Sequence, residues 1–170
     1  MIAKGGPQAA TGQAPASRRR LPLDTAIVAA VAYAWGAIVL RVWEMPWRLP
    51  WDSRSDATLI STMVKNMEDQ GWYLSQPRLG APFGQQFYDF PHGGESIQLG
   101  AMKLLVVVTG DWGLAMNLFF FLGFGVLASV TFLVLRHLRF SPVLAGIAAL
   151  IFTFMPYHLT RGEMHMWRST

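Results

Sequence analysis

The chain has no cysteine in 170 residues. That excludes a disulfide framework, a thiolate nucleophile and any zinc site built on cysteine, and it leaves the compartment unmarked by redox chemistry. Charge is scarce as well. Asp, Glu, Lys and Arg make up 14% of the chain, against about 25% in an average soluble domain. With 52% apolar residues, intrinsic disorder, coiled coil and collagen are excluded as the dominant state. The formal charge of +4 has no basic stripe behind it: four of the fourteen cations lie in the first twenty positions and the others are scattered. Nucleic acid is therefore not an expected partner.

What the chain does have is uncharged sequence in long blocks, with seven Trp and eleven Phe to supply aromatic interfaces. Residues 1–20 read as a disordered basic tail, Gly-, Ala- and Pro-rich and closing on Arg18-Arg19-Arg20. An apolar run follows, and with its flanks residues 21–43 reach the roughly 20 residues that a bilayer crossing needs, Arg41 snorkelling at the far end. A cleavable signal peptide is the alternative, but no small-x-small site lies beyond Leu40. Residues 112–135 and 140–160 carry no charge over 24 and 21 positions, with His158 counted neutral. The expected fold class is thus all-α: a polytopic membrane protein with three transmembrane helices. The basic tail and the short connector 136–139 mark the cytoplasmic side. Residues 44–111 and 161–170 then lie outside, and the stretch 41–111 has six basic and eight acidic residues.

The outer segment is patterned. Leu59, Ile60, Met63, Val64 and Met67 recur at helical spacing, with Thr58, Ser61, Lys65, Asn66, Glu68 and Asp69 mainly opposite. This predicts an amphipathic helix over about 55–70, lying at the membrane interface and stopped by Gly71. Residues 75–94 hold too many Pro and Gly for regular structure. Residues 96–109 are apolar but too short to span, and they predict a second interfacial or re-entrant helix. Gly110 ends that helix, and Asp111 caps the next.

Two polar clusters could carry chemistry. Asp56 opens the first interfacial helix, where a carboxylate could accept a hydroxyl proton or help hold a divalent metal; the plain alternative is an N-cap. His158, Arg161, Glu163 and His165 gather beyond the third apolar block and could form a metal or phosphate site. If the helix continued, Glu163 and His165 would point about 200° apart, so joint ligation needs a backbone break near Gly162. Otherwise they are a polar helix end. Lys103, on an apolar helix, could bind lipid phosphate or simply snorkel. No P-loop, dinucleotide fingerprint, nucleophile elbow or HExxH is present.

The order of elements resembles the amino-terminal core of GT-C glycosyltransferases, polytopic enzymes that use polyprenyl-phosphate-linked sugars and include oligosaccharyltransferases and protein mannosyltransferases. Local sequence is similar to large bacterial membrane proteins of that kind, YfhO-like ones among them. The resemblance is carried by SDATLISTMVKNMEDQGWYL, PRLGAPFGQQFYDFP, the KLL…TGD segment and FMPYHLTRGEMH, and it covers about residues 21–168. It implies a bacterial cytoplasmic membrane, lipid and polyprenyl-phosphate sugar as partners, and a catalytic acid in the first outer loop. By position that acid is Asp56, with Asp52 second. It further implies that Arg78, Lys103 or Arg161 neutralises the leaving phosphate. Glu163, with His165 and His158, would hold a divalent metal (Mg or Mn), although a second acid is frequent where His165 stands. Family members have more spanning helices, so the chain is expected to be a truncated part that packs against the remaining ones. Two other functions fit the same sequence: a transporter or flippase component for lipid-linked sugars, and a non-catalytic protein of envelope assembly.

Overall fold

The computed structural model describes residues 16–51, 56–88 and 96–156, with backbone alone for 16–19 and 56. Five helices follow in order: α1 (Ala16–Leu40), α2 (Asp56–Gln70), α3 (Ser96–Thr109), α4 (Trp112–His137) and α5 (Pro142–Thr153). Between α2 and α3 lies a two-stranded antiparallel ladder, β1 (Ser75–Gln76) and β2 (Gln85–Gln86), with Ser75 opposite Gln86 and Gln76 opposite Gln85. The Pro- and Gly-rich sequence is therefore partly regular, because Gly80 and Gly84 both adopt positive φ and close a tight turn.

Helix ends follow local chemistry. Gly71 (φ 90°) stops α2 and Gly110 (φ 66°) stops α3. The Asp111 carboxylate accepts from the Leu114 N–H at 2.8 Å and starts α4. Both long helices end in the same motif, a left-handed residue whose own N–H and that of the following residue turn back onto the last carbonyls. After α1 that residue is Arg41 (φ 49°), and after α4 it is Arg139 (φ 68°). Helix α1 begins at Ala16, so the last five residues of the expected tail are helical; arginine is among the better helix formers.

Two helices are long and apolar enough to cross a membrane, Arg20–Leu40 and Trp112–His137. Only 17% and 22% of their most apolar windows are buried within the chain, so neither resembles the core helix of a soluble protein. The third apolar block behaves differently. Its regular helix, α5, spans 12 residues and ends at Thr153, about 18 Å at 1.5 Å per residue. Pro156 explains the stop, since it offers no N–H and biases Met155 away from helix. Residues 157–160 lie outside the described residues.

Helix α4 is the spine. Its first half packs with α2, α3 and the hairpin in one cluster centred on Met63, Met67, Leu99, Met102, Met116 and Phe87. Its second half packs with α1 and α5 through Val28, Ala32, Ala128, Phe132, Ala145 and Ala149. The small residues let these helices approach closely. The apolar face of α2 is thus covered by protein: Met63, Val64 and Met67 are fully buried. Its polar face is not uniformly wet either, for Asn66 is also fully buried.

Candidate functional site

The segment leading into the outer acids is pinned to α4. Asn117, fully buried, donates through Nδ2 to the Trp47 carbonyl (2.8 Å) and the Leu49 carbonyl (2.7 Å), and its Oδ1 accepts from the Trp51 N–H (3.1 Å). One turn earlier, Gly113 lies against the same segment; a Cβ there would sit 2.2 Å from the Arg48 carbonyl oxygen. Aromatic rings close the flank. Trp47 meets Trp51 at 4.9 Å and Phe121 at 5.9 Å between centroids, and Trp51 meets Phe120 at 6.2 Å. Asn117 is the residue that sequence reading passed over. An amide inside an uncharged 24-residue block was the available signal, because a polar group at such a place must find partners.

Asp56 is the first residue of α2, and the next, Ala57, is fully buried in the cluster on α4. Trp51 and Ala57 therefore bracket the acidic segment with two fixed points. Asp52 lies outside the described residues, as do Asp89, Glu95, His158, Arg161, Glu163 and His165. Among the described residues, no group of three His, Asp or Glu side chains could hold a metal ion.

The opposite end of α2 gathers the cations. Lys65 pairs with Glu68 and, at 2.8 Å, with Asp69, which also faces Arg78 at 3.5 Å. Hydrogen bonds from Lys65 to Asp69 and Glu68 raise its pKa above the usual 10.5. Lys103 neither snorkels nor stands free; its ammonium donates to the Met67 carbonyl at 2.9 Å and closes the carboxyl end of α2. Asn66 Nδ2 donates to the Tyr73 carbonyl (3.0 Å) and the Ser75 carbonyl (2.6 Å), fixing the hairpin to the same end. Asp56 and Met67 are eleven residues apart on one helix, about 16 Å along its axis. Arg78 and Lys103 thus share one end of α2 and Asp56 holds the other. The structure does not assemble these three predicted site residues at one reacting centre.

No protein-family model matches the chain, and no curated protein or solved structure shows significant similarity to it.

Proposed function

We propose that the chain is the amino-terminal core of an integral membrane glycosyltransferase of GT-C type. It transfers a sugar from a polyprenyl-phosphate donor to an envelope acceptor, in the cytoplasmic membrane of a bacterium. In this reading α1 and α4 are two spans and residues 140–160 supply a third, the amino terminus is cytoplasmic, and further helices cover their outer faces. The observation that supports it best is the bracketing of the acidic segment by Trp51 on Asn117 and by buried Ala57. A general base must be held within hydrogen-bond reach of the hydroxyl it deprotonates, and anchors on both flanks serve that requirement. Asp56 takes the proton of the acceptor hydroxyl as its oxygen attacks the anomeric carbon, with Asp52 as the second carboxylate. Polyprenyl phosphate leaves. Of the three cations the resemblance implies as its partner, Arg161 is retained, because Arg78 and Lys103 are engaged at the far end of α2. Glu163, His165 and His158 would supply the ligands if a divalent metal takes part.

The test is transfer of radiolabelled sugar from a polyprenyl-phosphate sugar in membranes carrying the chain with any in-frame continuation of its gene. Asp56→Asn is expected to lower transfer by about 100-fold or more, while Lys103→Met leaves it unchanged. Normal transfer by Asp56→Asn, Asp52→Asn and Glu163→Gln alike would overturn the mechanism.

A further inference from the structure

We propose that the end of the helical bundle where α1 begins and α4 stops binds an anionic phospholipid, with Arg20, Arg136 and Arg139 as ligands of its phosphate. The proposal rests on the membrane reading of α1 and α4 but not on glycosyl transfer.

Packing brings these arginines to one end. Leu21 and Leu135 belong to the same cluster, so Arg20, which precedes Leu21, and Arg136, which follows Leu135, lie at the same end of the antiparallel α1–α4 pair. Arg139 closes the motif that ends α4. Among the described residues, Arg41, Lys65 and Arg78 form salt bridges with carboxylates, whereas Arg20, Arg136 and Arg139 form none. Asp24, one turn along α1, also forms none. Arg136 is held by a bond from Nη1 to the Phe140 carbonyl, yet its buried Nε finds no acceptor. The fold positions this charge without neutralising it.

Arg139 adds an independent observation. At φ 68° it occupies a left-handed position that glycine fills without strain. Turn geometry alone therefore does not call for a side chain there, and the one present is a cation at the bundle's end. Arg41 stands in the same strained position, but its charge is matched by Glu44 at 3.2 Å. Unmatched cations beside apolar helix faces suit a ligand with an anionic head and hydrocarbon tails. Exposed Leu23, Ile27 and Val31 run up α1 from Arg20, and exposed Val126, Val130 and Val134 run along α4 toward Arg136. Both stripes are spaced four residues apart, so each offers an acyl chain a continuous path. A free phosphate would use the arginines and leave the stripes unused.

The experiment is native mass spectrometry of the whole chain in detergent, titrated with dioleoyl-phosphatidylglycerol, with dioleoyl-phosphatidylcholine, or with phosphatidylglycerol in competition with glycerophosphoglycerol. Phosphatidylglycerol is expected to bind at least about tenfold more tightly than phosphatidylcholine, and the free headgroup is expected not to displace it. Arg136→Gln and Arg139→Gly should each weaken binding by about fivefold, and Arg41→Gln should leave it unchanged. Arg139→Gly also separates binding from folding, since glycine suits the backbone there and should keep or raise Tm. Equal binding of the two lipids would overturn the proposal, as would displacement by the headgroup or an equal loss in Arg41→Gln. Release of the chain from membranes by alkaline carbonate would overturn the membrane reading and the proposal with it. A chain that resists carbonate and shows no preference overturns the proposal alone.

Discussion

Tyr33 of α1 occupies the space left by the absent side chain of Gly125 in α4, and a Cβ at 125 would lie 2.1 Å from the Tyr33 Cζ. The ring is held there, for its hydroxyl donates to the Leu122 carbonyl at 3.3 Å and its face meets Phe121 at 5.6 Å. Gly125→Ala must therefore displace an anchored ring and is expected to cost about 1–3 kcal/mol. At Gly113 the obstacle is the Arg48 backbone carbonyl, which cannot swing away, so Gly113→Ala should cost more. At Gly146 a Cβ meets Val28 Cγ2 at an ordinary 3.6 Å. Gly146→Ala should be neutral or stabilising by up to about 1 kcal/mol through helix propensity. Thermal unfolding of the three variants in one detergent checks the order.

Asn117→Leu should free the 47–51 segment while leaving the helices in place. It removes three hydrogen bonds and strands the Trp51 N–H with two carbonyls, a loss of about 2–4 kcal/mol. Exposed Arg48 provides the readout. Limited trypsin digestion should cleave after it more than about tenfold faster than in the wild type.

Lys103→Met tests whether the ammonium is structural. Loss of its bond to the Met67 carbonyl should cost about 1 kcal/mol, the size of a helix-end interaction with a charge. A lysine that served the leaving phosphate would instead show its loss in transfer rate, with Tm unmoved.

The Lys65 cluster sets a pH dependence with a definite sign. The carboxylates favour the charged ammonium, so the folded pKa lies above the unfolded value near 10.5. The ion pairs therefore contribute fully below pH 10 and are lost as pH rises through the folded pKa. The groups are partly exposed, and the contribution is a few tenths of a kcal/mol. Wild type and Lys65→Met should differ slightly in Tm at pH 8 and converge only as pH rises through the folded pKa. Salt at 1 M should shrink the difference at pH 8.

Local signals were legible at particular residues. Gly71, Gly110 and Asp111 announced three helix boundaries, because a left-handed stop and an N-cap need only their immediate neighbours. The apolar blocks of α1 and α4 were equally plain, since length and absence of charge are properties of consecutive residues. Pro156 was visible too, and the uncharged block around it masked its meaning for α5. The candidate site was less legible. Asp56 and the cations could be picked out by type and order, but their separation along α2 appears only once Lys103 and Arg78 have found their partners.

The absence of cysteine determined only which chemistry is excluded; scarce charge gathered outside long apolar blocks determined where two long helices run, with faces too apolar for water. Tertiary structure decided what those faces meet. It turned the apolar side of α2 onto α3 and α4, buried Asn66 and Asn117 as anchors, and aligned Gly125 with Tyr33. The reason is physical: periodicity records which side of a helix avoids water, and both lipid and a neighbouring helix meet that demand. Only the packed chain, with its hydrogen-bond partners and close approaches, distinguishes the two.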